Sequence, residues 1–253
     1  MDINYTHLTN WPPLYTLKKS ARARYVKLKA SVRHGLELVV PLRFNQKHIP
    51  EILESNKSWI EKQLAKIREE LQTSHLETLP NELILPALNQ TWKLIYIKSN
   101  NKKVQLLTRP QRELVFLGNI ENQSLCKKVL RLWVKDLAKT YLPTRLQDLS
   151  EKTQLPYKNI VIRGQRSRWG SCSTQKIINL NYKLLFLSSD LVDHIIIHEL
   201  CHTIHMNHSA KFWRLVASFD TQWKQHSREV RRAEKHVPTW VDCDPLLLAN
   251  LAQ

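Results

Sequence analysis

The sequence predicts an α+β protein on three observations. Short runs of alternating polar and apolar residues fill the first half of the chain. Two longer stretches repeat their apolar residues at helical spacing in the second half. No internal repeat organises either half. With 253 residues the chain has room for one large domain or two modest ones. At 42% hydrophobic and 24% charged residues it can bury a core. Its 4 glycines exclude a glycine-rich, low-complexity architecture.

Val26, Leu28, Ala30 and Val32 alternate with Lys27, Lys29, Ser31 and Arg33, which predicts a half-buried strand with a basic outer face. His34-Gly35 offers a turn, and Leu36, Leu38 and Val40 resume the alternation, so a β-hairpin is expected. Ile60, Leu64, Ile67 and Leu71 then mark an amphipathic helix opened by Trp59. Strands are expected over Thr91–Ile97, Val104–Leu107 and Leu114–Leu117. Gly118 and the polar Glu121-Asn122-Gln123 that follows mark a boundary. The expected division is a β-rich region with a helix over 1–118, a catalytic domain over 119–238 and a tail over 239–253.

Beyond the boundary, Val129, Leu130, Trp133, Leu137 and Tyr141 predict a helix, and Pro143 can open a second one through Leu146 and Leu149. Ile160–Ile162 and Ile177–Leu180 read as strands on either side of a basic loop from Arg163 to Cys172. Asp190 and Asp193 suit the start of the next helix, where backbone N–H groups need acceptors. Val192, Ile195, Ile196, Leu200 and Ile204 supply its apolar stripe. A further helix runs from Ser209 through Phe212, Trp213 and Val216. Arg228 through Lys235 reads as a solvated helix face.

The 39 Lys and Arg outnumber the 22 Asp and Glu, giving a net charge of +17, a field that attracts polyanions. The four cysteines, Cys126, Cys172, Cys201 and Cys243, form no Cys-x-x-Cys pair, which argues against a disulfide framework or an all-cysteine zinc finger. No apolar run approaches the roughly 18 residues of a membrane span. The first residues have neither a basic start nor an apolar stretch, so a cytoplasmic protein is expected.

The chemistry concentrates at His198-Glu199-Leu200-Cys201-His202. Histidines four apart stand on one helical face, about 6 Å apart along the axis, where both can reach one cation. Imidazole is a good zinc ligand, and Glu199 can take a proton beside the metal without binding it. The flanking Ile195, Ile196 and Ile197 bury the helix, and buried imidazoles need partners. A catalytic zinc wants a third protein ligand. His194 and His205 share the face, but adding either would spread the ligands over roughly 10 Å of a straight helix. A turn at Met206-Asn207 would bring back His208, which is therefore favoured, with His205 the alternative.

Arg166-Ser-Arg-Trp-Gly-Ser-Cys172, Ile178-Asn-Leu-Asn181 and the run from His198 to Trp213 resemble the YgjP-like metallopeptidases, a family related to the SprT-like and WLM zinc peptidases. The resemblance is most specific over 160–215. It implies a zincin-like catalytic domain with the HExxH helix packed on a small sheet. It also implies Zn2+ ligands at His198, His202 and His208 and a catalytic glutamate at Glu199. Metzincins, whose ligand spacing is similar, carry a helix-breaking glycine where this chain has His205.

The leading expectation is therefore a zinc-dependent peptidase acting on a peptide or protein substrate, which the strand near Ile177 could bind by backbone pairing. The segment 155–189 holds Lys158, Arg163, Arg166, Arg168, Lys176 and Lys183 and no acid. Arg166 and Arg168 could grip a carboxylate or a phosphate, which motivates metal-dependent nucleotide hydrolysis as an alternative. The charge of +17 motivates a third reading, a nucleic-acid-binding module or a DNA-associated protease like the SprT-like relatives. Trp169 is assigned to core or wall, and Gly170 to a backbone requirement.

Overall fold

The computed structural model describes residues 11–31, 35–73, 79–165 and 168–241, with backbone alone at 70–73. The chain forms two compact units, Met1–Glu77 with Asp242–Gln253, and Thr78–Val241.

The first unit carries β1 (Tyr15–Ser20), β2 (Lys27–Ser31) and β3 (Gly35–Pro41) in the order β1-β3-β2, followed by α1 (Ile49–Ser55) and α2 (Lys57–Thr73). The expected hairpin is the antiparallel β2–β3 pair. Its turn, with Val32, Arg33 and His34, lies outside the described residues. The alternation of Leu36, Leu38 and Val40 buries one face of β3. Leu36 and Leu38 share a core with Ile49, Leu53, Ile60, Leu64 and Ile67 from the helices, so the helical spacing at 60–67 is used as expected. No sequence pattern marks β1, which pairs parallel to β3.

The second unit begins with β4 (Glu82–Leu85), β5 (Gln90–Lys98), β6 (Val104–Arg109) and β7 (Glu113–Gly118) in the order β4-β5-β7-β6. Against this sheet lies α3 (Gln123–Thr153). Leu83, Leu85, Leu94, Leu114 and Phe116 of the sheet share one core with Leu130, Val134, Ala138 and Leu142 of α3. Gly118, the expected boundary, lies inside the second unit, Thr78–Val241, where the sheet and α3 share this core.

α3 is also one helix of 31 residues with Pro143 inside it, not two. An interior proline costs about 3 kcal/mol. Leu142, Leu146 and Leu149 continue the buried stripe across it, and burying a leucine contributes about 1.5–3 kcal/mol. Continuity wins. We expect Leu146→Ala, at a site with no exposed surface, to lower unfolding stability by about 2–5 kcal/mol, read by urea denaturation.

Next come β8 (Asn159–Arg163), β9 (Gly170–Cys172) and β10 (Ile177–Asn181) in the order β8-β10-β9, with β10 parallel to β8 and antiparallel to β9. Three helices follow: α4 (Ser189–Cys201), α5 (Ala210–Phe219) and α6 (Trp223–Val230). Asp190 sits in the first turn of α4 as expected. Asp193 does not act there. It accepts two hydrogen bonds from the Arg145 guanidinium, one at 2.7 Å from Nε, and so ties α4 to α3. The expected basic helix face over 228–235 is broken, since α6 ends at Val230, although Arg228, Arg231, Arg232 and Lys235 are all exposed. Trp240 and Val241 are buried in this unit, and the remainder of the expected tail, including Cys243, lies outside the described residues. Cys126 and Cys201 are buried free thiols and Cys172 is half-buried. No helix among the described residues is long and apolar enough to cross a membrane.

Candidate metal centre

α4 is apolar on nearly every side. Leu191, Val192, Ile195, Ile196, Ile197 and Leu200 are all buried, so the polar residues among them are buried as well. The helix ends at Cys201, with His202 as its C-cap. The chain turns at once through Thr203, so Ile204 falls outside the expected stripe and is 49% exposed. The turn therefore precedes Met206-Asn207, and Asn207 is not among the residues of positive φ. Ser209 then caps α5 by accepting from the Phe212 N–H.

This early turn brings His208 back to α4. His198 Nε2 stands 3.2 Å from His202 Nε2 and 3.1 Å from His208 Nε2. His205 is not in the cluster; its carbonyl instead receives the Nδ1–H of His202 at 3.0 Å. That bond leaves a lone pair on His202 Nε2. A proton in the contact between His198 and His202 must then sit on His198 Nε2. The same nitrogen cannot accept from His208. At His198 Nε2, neutral rings thus offer one proton at most for two ring-nitrogen neighbours.

Burial, helped by His202, His208 and His194, pushes His198 down to about 3, and burial also lowers His202. Three imidazoles brought together in this way could hold a metal ion. The 3.1–3.2 Å separations approach the edge of roughly 3.3 Å expected between nitrogens held tetrahedrally at 2.0–2.1 Å from zinc. The donors fit the metal.

Aromatic rings hold the imidazoles in place. Phe212, fully buried, stacks on His202 with centroids 4.5 Å apart and lies 4.9 Å from both His198 and His208. Trp213 stacks on His208 on one side and on Trp223 on the other. In the sequence, Phe212 and Trp213 stand out as helical residues at the end of the run that carries the family resemblance, with no role beside the imidazoles.

Glu199 is 6% exposed, and its Oε2 has no hydrogen-bond partner among the described residues. Burial pushes the carboxyl up to about 8, against the opposing pull of the Arg168 cation. Gly170 of β9 lies against this side chain. A Cβ built there would stand 2.8 Å from Glu199 Cγ and Oε1. Its φ is not positive, so the glycine answers a need for space and not the backbone need expected of it. We expect Gly170→Ala to displace Glu199 and lower kcat about tenfold or more, with bound metal unchanged. Metal analysis beside steady-state kinetics checks both.

Arg168 is exposed, and Arg166 lies outside the described residues. Trp169 is partly buried against the core and donates from Nε1 to the Val230 carbonyl at 3.3 Å, as expected of a wall residue.

A second polar cluster joins α4 to the elements after it. His194 Nδ1 and His226 Nδ1 lie 2.6 and 3.0 Å from Asp220 Oδ2, and Ser227 Oγ lies 3.1 Å from His194 Nε2. Burial lowers His194. Burial also works to raise Asp220, but the hydrogen bonds from His226 and His194 outweigh it and hold the carboxyl below its ordinary value. No sequence pattern gives Asp220 or His226 a role. Asp220 is 26 residues from His194, and no spacing rule joins them.

An HExxH segment on a buried helix, with a third histidine folded back to it, defines a candidate metallohydrolase site. The chain belongs to the YgjP-like metallopeptidase family, whose metallopeptidase-domain model matches residues 24–233, and it is accordingly a peptidase. Two solved structures of metallopeptidase zymogens are similar in part. Abylysin of Pyrococcus abyssi is 22% identical at a TM-score of 0.34, covering 37% of this chain and 95% of its own. Jannalysin of Methanocaldococcus jannaschii is 20% identical at a TM-score of 0.33, covering 36% of this chain and 88% of its own. No curated protein matches the chain.

Proposed function

We propose that this metallopeptidase is a zincin-like zinc enzyme in which His198, His202 and His208 hold the ion and Glu199 is the general base. The convergence of the His202 and His208 Nε2 atoms on that of His198 carries the reading. A divalent cation held there supplies Lewis acidity, polarising a carbonyl, acidifying a water molecule and favouring the ionised form of Glu199.

Glu199 takes a proton from the attacking water on its carboxylate and passes it to the leaving amine. The low exposure of the carboxyl keeps bulk water from competing for that proton. Gly170 leaves room for the side chain beside β9. The substrate strand pairs with the outer edge of β9, an assignment that replaces the strand near Ile177. That strand, β10, is the middle strand of its sheet, and both of its edges are taken by β8 and β9. β9 is an edge strand and touches Glu199.

Peptide binding by an edge strand needs no phosphate-gripping arginine, and no observation at the site favours nucleotide or nucleic acid as substrate. The test is metal removal. Dialysis against a chelator should abolish cleavage of an unfolded protein substrate, and stoichiometric Zn2+ should restore it. Full cleavage by metal-free protein would contradict the proposal.

A further inference from the structure

The two histidine clusters on α4 look alike but pose opposite problems in bonding. At His198, His202 and His208 two ring nitrogens crowd a third at 3.1–3.2 Å with one proton at most on that nitrogen to share, an arrangement that could hold a cation. At His194, Asp220 and His226 both carboxylate oxygens and both nitrogens of His194 have hydrogen-bond partners. Both Nδ1–H groups donate to Asp220 Oδ2, the Ser227 hydroxyl donates to His194 Nε2, and Asp220 Oδ1 receives the backbone N–H of Gln222 at 3.0 Å. The second cluster is therefore a closed hydrogen-bond network, and its 2.6 Å contact is a hydrogen bond to a carboxylate rather than a spacing between two ligands of one ion.

Its position gives it a task. Asp220 is the C-cap of α5, while His208 and the cap residue Ser209 lead into the other end of the same helix. His194 is one turn before His198 on α4. α5 is thus fixed to α4 at both ends: by Phe212 against the three imidazoles at its start, and by Asp220 at its finish. His226 and Ser227 bring α6 to the same point.

We propose that Asp220 is a positioning residue for the metal site, setting α5 against α4 so that His208 meets His198 and His202. The inference rests on the proposed metal site. Without the carboxylate, His194 and His226 lose their common acceptor inside a buried space, and a buried group left unpaired costs about 1–3 kcal/mol. Relief of that cost moves α5, and the ligand ahead of it moves too.

The test is Zn2+ affinity of the full chain, measured by competition with a chromogenic chelator, with circular dichroism at the same temperature to verify folding. The wild type should bind one ion. Asp220→Asn and His226→Leu should weaken binding about tenfold or more, within the range found when the supports of metal ligands are removed. His226→Asn places an amide N–H where Nδ1–H was and should restore near wild-type affinity. The cobalt(II) absorption spectrum should change in the first two variants and not in the third. Folded Asp220→Asn or His226→Leu with wild-type affinity would overturn the proposal. So would two ions in the wild type, one of them lost with Asp220 and the other unaffected. If Asp220→Asn does not fold, the two His226 variants decide. A wild type that binds no Zn2+ would overturn the metal site itself, an outcome distinct from equal affinities.

Discussion

Replacing Glu199 with glutamine should lower peptide hydrolysis by about 10²- to 10⁴-fold, the share that a positioned general base supplies, while the metal stays bound. Glutamine keeps the size of the side chain beside Gly170, so β9 need not move. It removes the one group placed to accept a proton. The carboxyl is also a poor choice for stability: it is buried, and its Oε2 is unpartnered among the described residues. An unpaired buried carboxyl costs folding free energy. The exchange should therefore leave the protein as stable as the wild type or more so, in urea unfolding of the metal-free form. Kinetics, metal analysis and unfolding of the same two preparations check all three expectations. Wild-type turnover in Glu199→Gln would deny Glu199 the role of general base.

His198→Ala should abolish both metal binding and turnover. His198 is the central nitrogen of the cluster, within 3.2 Å of both other ligands, so its loss leaves two donors that no longer share a neighbour. The fall in affinity should exceed the roughly 10–100-fold seen when only the supports of a ligand are changed. The ring also packs on Phe212 and Trp213, so the variant opens a gap beside the aromatic wall. A drop in stability on its own would not explain lost activity. The decisive comparison is metal content in protein that circular dichroism shows to be folded. Near-stoichiometric zinc in His198→Ala would mean that the ion sits elsewhere.

Much of this site is legible in the spacing of its residues. Two histidines four apart must share a helical face, and the apolar run preceding them must be buried, which is how α4 is built. The return of His208 is readable because three ligands cannot converge from one straight helix. The location of the turn is not. It starts at His202, where capping by backbone carbonyls ends the helix without the left-handed residue expected at Asn207. Pro143 misleads for a related reason: local chemistry favours a helix start, but the buried stripe on both sides of it decides. The strand β1 and the residue Asp220 are beyond the reach of local patterns. Each is defined by a partner remote in the chain, β3 for one and His194 for the other, and neither carries a periodic pattern of its own. Gly170 can be singled out in the sequence, yet its reason is the position of Glu199 against β9, which only the fold supplies.

X-ray absorption at the zinc edge of the metal-loaded wild-type protein reads the ligand shell itself. Three imidazole nitrogens at about 2.0–2.1 Å are expected, with a light oxygen donor completing the shell and no sulfur. A sulfur scatterer near 2.3 Å would instead implicate Cys172 or Cys201. That result, or a shell with fewer than three imidazoles, would contradict the assignment of His198, His202 and His208.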